Sequence, residues 1–282
     1  MLVDIILVLL VLVAVLATSI TDIKTREVPD WISYMLIVSA LSIRLLYAMQ
    51  TKTWSYFLYG LLGLAAMAFI GILLFYTKQW GGGDAKLLMG IGAAWGTTPY
   101  FISTPGPFLV YFLIGLAVMG ALYGLLYSIV LLMNHFAQWK KEYLKLQTKQ
   151  LKQMKMLCIA LGVIILIFLW ILLQNPLRIT MVTVALMILL YPYFYQMLKA
   201  VENATMYKKI PIARLTEGDW IADQTIRKRF SIPAWGVEHK HIEQLKKSKM
   251  KHVLIKEGIP FIPSFFFAVL FALNIDAILA LL

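Results

Sequence analysis

Two aspartates stand at the ends of apolar stretches in this chain, and their carboxyl groups are the side chains best suited to chemistry. Asp84 follows three glycines in Trp80-Gly81-Gly82-Gly83-Asp84, and Asp22 closes the first apolar stretch. An ionised carboxylate at the centre of a bilayer costs at least ~2.5 kcal/mol, so an acid on a membrane segment needs a compensating role. Taken alone, either aspartate is also typical of a helix cap or of a solvated group at the membrane surface.

A pair of carboxylates offers more than either acid alone. Like charges a few Å apart cannot both ionise, so a close pair shares one proton. The ionised carboxylate can then take a proton from water, which attacks a carbonyl carbon, while the protonated carboxyl polarises that carbonyl. Gly81 and Gly83 would let the backbone turn tightly before Asp84 and let a substrate approach without a Cβ in the way. This chemistry requires no metal ion and no organic cofactor.

The elements that must bring the two acids together are membrane helices. The chain has 282 residues, of which 61% are hydrophobic, and its mean hydropathy is +0.80, which a soluble domain rarely reaches. Its one cysteine, Cys158, excludes an internal disulfide and any multi-cysteine zinc site. The fourth apolar segment is too short to cross ~30 Å, and its glycines and alanines predict close packing between helices. The eight apolar segments are residues 2–21, 31–50, 55–77, 84–97, 107–134, 156–174, 177–198 and 260–281.

The basic residues predict how these segments are oriented. The net charge is +12, and 23 of the 26 lysines and arginines fall in alternate loops on one side of the membrane. By the positive-inside rule those loops face the cytoplasm and both termini lie outside, which places Asp22 and Asp84 at the cytoplasmic ends of their helices. Arg44, Lys52 and Arg178 are left for the other side. The charge is therefore explained by topology, and no nucleic-acid partner is expected.

The predicted fold class is a polytopic all-α membrane bundle with a small α+β cytoplasmic insert. In the insert, Ile210–Leu215, Trp220–Ile226 and His252–Lys256 have strand patterns, Val237–Lys247 has helical spacing, and its histidines are expected on the surface. Five regions follow: N-terminal membrane helices with both aspartates (1–134), a basic amphipathic linker at the lipid headgroups (135–156), a membrane hairpin (157–198), the insert (199–259) and a C-terminal membrane helix (260–282).

Four motifs together resemble a known family of membrane peptidases. Gly81-Gly82-Gly83-Asp84 matches the GxGD pattern of membrane aspartyl proteases. Residues 22–30 resemble the other active-site segment of type IV prepilin peptidases, in which an aspartate ends helix one and a basic loop closes in Val-Pro-Asp. Leu215–Trp220 and Ile255–Pro263 look like segments of the archaeal branch, which includes preflagellin peptidases. The resemblance to this archaeal prepilin and preflagellin peptidase family extends over most of the chain.

The resemblance implies a six-helix core, a reaction and a class of partner. Asp22 and Asp84 correspond to the two catalytic aspartates, and Gly81 and Gly83 to the active-site loop. Family members remove the short basic leader of pilin-like or archaellin-like precursors at the cytoplasmic membrane face, usually after a glycine. Glu27 and Asp30 are candidates for binding that leader by charge complementarity. Besides such precursors, the expected partner is the lipid bilayer; no metal site is expected, and the oligomeric state stays open.

Two departures and two alternatives accompany this interpretation. Many bacterial members carry a cysteine-rich zinc insert and methylate the new N-terminus, whereas this chain has neither the cysteines nor a glycine-rich loop for a methyl donor. Small archaeal members have six helices, so residues 135–200 are extra. A GxGD intramembrane protease of the presenilin or signal-peptide-peptidase kind would need an acid in the preceding helix, where Phe75-Tyr76-Thr77 has none. In a proton-relay transporter or assembly scaffold, the acids would lie at mid-membrane depth.

Overall fold

The computed structural model describes residues 2–97, 100–101, 104–105, 108–172, 177–233, 235–248 and 250–276. These residues form eleven α-helices and five short strands. The helices are α1 (Leu2–Thr25), α2 (Asp30–Thr51), α3 (Trp54–Tyr76), α4 (Gly82–Trp95), α5 (Phe108–Asn134), α6 (Phe136–Lys145), α7 (Lys149–Leu172), α8 (Leu177–Thr205), α9 (Gln224–Arg229), α10 (His239–Lys247) and α11 (Ile262–Leu273). The strands are β1 (Tyr100–Phe101), β2 (Thr104–Pro105), β3 (Tyr207–Pro211), β4 (Trp220–Ile221) and β5 (His252–Lys256). The predicted helical membrane bundle with a small α+β insert is confirmed.

Six of the described helices are long and apolar enough to cross a membrane, and two apolar helices are shorter. The six lie in α1, α2, α3, α5, α7 and α8. Helix α4 has 14 residues, which is ~21 Å at ~1.5 Å per residue, and α11 has 12 described residues. The last residues of the predicted segment 260–281 lie outside the described residues.

The chain divides into two compact units, Met1–Leu126 with Lys209–Leu282, and Tyr127–Lys208. In the second unit, α6 and α7 both pack on α8. The buried Gln196 of α8 accepts a hydrogen bond from Lys155 Nζ at 2.6 Å and donates one to the carbonyl oxygen of Tyr143 at 2.9 Å. The stretch 135–156 is thus helical, forming α6 and the first turns of α7, and α6 carries Lys140, Lys141 and Lys145.

In the first unit, α4 packs against α2 and α3 through its small residues, as its composition predicts. A Cβ on Gly90 would come 2.6 Å from Leu36 of α2. A Cβ on Gly92 would collide with the backbone of Gly63 in α3. Glycines therefore let the three backbones approach closely, and the apolar face of α4, including Leu87, Leu88 and Ile91, is fully buried.

Arg44 lies in the second half of α2, inside the bundle and with no exposed surface. Its guanidinium donates to the carbonyl oxygens of Ala94 (2.9 and 3.1 Å), Trp95 (2.8 Å) and Tyr56 (2.7 Å). Because α4 ends within the protein, its last carbonyls cannot reach water, and Arg44 supplies their donors.

The insert is an antiparallel pair, β4 with β5, and the third strand β3 lies on the other side of β5. The predictions for β5 and for the helix now seen as α10 are confirmed, but the other two predicted strands have different bounds: β3 begins earlier, at Tyr207, and β4 is shorter. The first strand ends at Pro211, where a 3-10 turn covers Ile212–Arg214. The second stops at Ile221 because Asp223 caps α9, accepting from the N–H groups of Thr225 and Ile226.

A small hydrophobic core closes the insert, and one histidine belongs to it. Leu245 of α10, Val253 and Ile255 of β5 and Ile212 are buried together. His241, expected on the surface, is 3% exposed, and its Nδ1 accepts the N–H of Glu238 at 3.2 Å. That contact closes the first turn of α10, which explains why a polar ring is tolerated there.

Candidate active site

Asp22 lies in the last turns of α1 and is held by the N-terminus of α11. Its side chain is 6% exposed, and Oδ2 accepts the N–H of Ile262, the first residue of α11, at 2.9 Å. The first N–H groups of any helix have no partner inside that helix, and the helix dipole favours a negative charge there. The start of α11 therefore favours the ionised form of Asp22, and this opposes the burial of the side chain, which disfavours a charge.

Asp84 is the third residue of α4 and faces different surroundings. The N–H of Gly81 donates to its Oδ2 at 3.1 Å, so the carboxyl closes the turn that starts the helix. Helix α4 is too short to span the membrane. Burial, and to a smaller extent the nearby charge of Asp22, together raise the pKa of the Asp84 carboxyl to about 7, against the opposing effect of the Gly81 N–H.

The glycines before Asp84 have different geometric roles. Gly83 faces Val28 in the loop between α1 and α2, where a Cβ on residue 83 would come 2.6 Å from the Val28 Cβ. Gly81 has φ −74°, which any residue adopts, and a Cβ there would lie 3.6 Å from Asp84 Oδ2. Close approach of α4 to the α1–α2 loop thus depends on Gly83, while the Gly81 side is open towards the carboxyl.

An aromatic cluster joins the glycine loop to α11. The Trp80 ring lies 5.8 Å from that of Phe261 and 5.3 Å from that of Phe265. Phe265 is fully buried, and Phe261 immediately precedes the residue that donates to Asp22. Sequence reasoning assigned no site role to these rings or to the Ile262 N–H. The feature of the sequence that pointed to this region was the resemblance of residues 255–263 to an archaeal family segment.

Lys86 pairs with Asp30, and this pair ties the start of α4 to the start of α2. Lys86 Nζ lies 2.6 Å from Asp30 Oδ2 and sits over the Tyr34 ring at 5.5 Å. Asp30 is the first residue of α2, and no side chain caps that helix, since Pro29 occupies the cap position. Its carboxylate is instead engaged by a lysine two residues beyond Asp84.

Glu27, the other candidate for leader binding, is exposed in the loop after α1. Its charge acts on the half-buried Asp219, as does that of Glu257. Burial raises the pKa of Asp219, the Thr216 N–H and hydroxyl lower it, and the two glutamates raise it further. Negative charges from the α1–α2 loop and from the insert therefore gather beside the end of α1.

The arrangement can perform acid–base chemistry on water. One carboxyl, Asp22, accepts from a helix N-terminus, and the other, Asp84, is shifted toward its protonated form near neutral pH. Two interacting carboxyls, of which one is ionised while the other holds a proton, are what activation of water and polarisation of a carbonyl need. Within the described ranges, no three His, Cys, Asp or Glu side chains gather as a metal site.

Two comparisons with known proteins bear on this site. Residues 8–133 match the type IV leader peptidase family. The chain is also similar to a preflagellin peptidase of Methanocaldococcus jannaschii, with 28% identity over 152 residues. That alignment covers 53% of this chain and 63% of the relative's length. Both aspartates lie within the stretch that is similar to the type IV leader peptidase family.

Proposed function

We propose that this protein is a membrane-embedded aspartyl endopeptidase that removes the short basic leader from pilin-like or archaellin-like precursors. The observation that carries the proposal is the convergence of Asp22, on α1, and Asp84, on α4, inside the region that matches the leader peptidase family. The similarity to a preflagellin peptidase supports the substrate class.

In the proposed reaction, the ionised member of the pair takes a proton from water as it attacks the scissile carbonyl. The protonated member donates a hydrogen bond to the carbonyl oxygen and then a proton toward the leaving amine. Water is the nucleophile, and the two aspartates carry out both proton transfers. The open side of Gly81 leaves room for an extended substrate beside Asp84.

The cytoplasmic face is proposed as the site of cleavage because of the charge count. The loops next to Asp22 and Asp84 belong to the side that holds 23 of the 26 basic residues. A basic leader is retained on the cytoplasmic side for the same reason. In this scheme residues 135–198, the basic linker and the hairpin, are an addition to the six-helix core of the family.

The direct test uses the purified full-length protein in liposomes with a tagged pilin-like precursor. We expect one cut that releases the leader, and mass spectrometry of the product defines the new N-terminus. Cuts inside the hydrophobic helix would instead indicate an intramembrane protease. An intact precursor together with proton flux into the vesicles would indicate a transporter.

Glu27 is proposed to bind the basic leader, and its charge provides the test. With Glu27→Lys we expect kcat/KM for a basic leader to fall about two- to fivefold, the range of one exposed charge pair. An acidic leader should reverse that change. Asp30 is less suited to a single substitution because its loss would also release Lys86.

Glu243→Lys is the matched control for Glu27, since Glu243 is an exposed glutamate on α10 whose carboxylate lies 3.6 Å from His239. It makes the same change of charge within the insert. Equal effects of the two substitutions, or a Glu27 effect independent of leader charge, would contradict a role for Glu27 in leader binding.

A further inference from the structure

The end of α1 is joined to the start of α11 by two hydrogen bonds that link residues distant in sequence. Asp22 Oδ2 accepts the N–H of Ile262 at 2.9 Å. Arg26 Nη1 donates to the carbonyl oxygen of Gly258 at 3.1 Å. Asp22 and Arg26 lie four residues apart, and so do Gly258 and Ile262. The two hydrogen bonds and the two short chain segments between them therefore close a ring. Within that ring, Gly258–Ile262 is fixed against the last turn of α1.

Arg26 stands at a backbone position that favours glycine. Its N–H donates to the carbonyl oxygen of Asp22 at 3.0 Å, and its φ is +61°, in the left-handed region. Glycine is favoured where a helix ends in this conformation, because other residues are strained there. A turn alone would therefore be better served by glycine, and the hydrogen bond to Gly258 gives the arginine a reason to be there.

The loop that Arg26 holds leads directly into the helix that binds Asp22. Strand β5 ends at Lys256, and residues 257–261 connect it to α11. The N–H groups at the start of α11 favour a carboxylate over a carboxylic acid. The charged groups acting on Asp22 in the described structure are Arg26, directly after α1, and Asp84, on α4; α11 contributes backbone N–H groups.

We propose that Arg26 is a positioning residue of the aspartate pair: by holding Gly258 it keeps the first turn of α11 on Asp22, so that Asp22 is the base and Asp84 the proton donor. This inference rests on the proposed function and deepens it by assigning the two roles. Arg26 itself touches neither water nor substrate in the scheme. It acts through the carbonyl of Gly258 and the N–H of Ile262.

The test compares Arg26→Gly and Arg26→Gln with the wild type in the liposome cleavage assay. We expect kcat to fall about tenfold, with KM changed less than about twofold, because the base is less well held in its ionised form. For the same reason the acidic limb of the kcat profile should move to higher pH by up to about one unit. Arg26→Gly should leave thermal stability equal or higher, since glycine suits the left-handed backbone.

Two control variants separate this role from simpler explanations. Lys52→Gly makes the same change at another left-handed basic residue, with φ +57°, at the end of α2. Lys24→Gln removes an exposed positive charge two residues from Arg26. Neither should move kcat or its pH profile. Arg26 variants that behave like Lys24→Gln, or that change KM alone, would overturn the proposal.

Two further results separate a folding defect from a failure of the proposed function. If Arg26→Gln does not accumulate, Arg26→Lys decides: a partial shift of the acidic limb supports the proposal, and an unchanged profile overturns it. A wild type that cleaves no precursor would refute the proposed function itself. A wild type that cleaves, with a pH profile unaffected by any Arg26 variant, would refute only the positioning role.

Discussion

Replacing Asp22 or Asp84 by asparagine should abolish leader removal. Asparagine keeps the shape of the side chain and its acceptor oxygen, so the hydrogen bonds from Ile262 and Gly81 can still form. It cannot take or give a proton at neutral pH. Acid–base catalysis by one group contributes ~10²- to 10⁴-fold, and both roles depend on the pair, so each single variant should lose at least ~10²-fold in kcat.

The measurement is the mobility shift of a tagged precursor co-expressed with each variant, followed by kcat of the purified proteins. Asp223→Asn is the matched control, because Asp223 caps α9 in the insert and asparagine caps helices equally well. It should cleave at the wild-type rate. Either pair variant retaining more than about a tenth of that rate would remove its aspartate from the catalytic pair.

Replacing Arg44 by methionine should destabilise the bundle more than any substitution at the surface. The change leaves the last carbonyl oxygens of α4, those of Ala94 and Trp95, without the guanidinium that now binds them, and it removes a further bond to the Tyr56 carbonyl in the first turn of α3. Each buried unsatisfied acceptor costs about 1–3 kcal/mol, and breaking a buried charged network about 3–5 kcal/mol. We expect a marked fall in the midpoint of thermal unfolding, read by tryptophan fluorescence in detergent.

Lys52→Met is the control for the Arg44 substitution, since Lys52 is an exposed cation on the loop that follows α2. Arg44→Lys should fall between Arg44→Met and the wild type, because one ammonium cannot reproduce the forked contacts of a guanidinium. An Arg44→Met protein as stable as Lys52→Met would mean that the ends of α4 and α3 find other donors.

The sequence predicts the local features of this molecule better than its distant contacts. Apolar runs predicted the helices, and the small residues of α4 predicted its burial. Asp22 and Asp84 were recognised because acids in an apolar chain are conspicuous. The hydrogen bond between Asp22 and Ile262 spans 240 residues, and no local pattern announces it.

Three polar residues show why side-chain partners escaped prediction. Arg44 counts as an outer charge in a topology rule, yet it is buried because a short helix ends beside it. Lys86 is as well suited to lipid headgroups as to a carboxylate, and its partner Asp30 depends on α2 and α4 starting at the same end of the bundle. His241 is buried because its ring closes a helix turn. Each outcome follows from packing between elements, which periodicity along one element does not encode.

Because α4 is short and is held at one end, its length fixes the depth of the Asp84 carboxyl in the bundle. Its far end is fixed at Arg44, and its near end carries Asp84 at the third of its 14 residues. One residue inserted between them would shift that carboxyl by ~1.5 Å along the helix axis and turn it by about 100°. A spanning helix could slide in the bilayer to absorb such a change, whereas a helix anchored at an internal end cannot. The length of α4 therefore sets the height of the Asp84 carboxyl above Arg44.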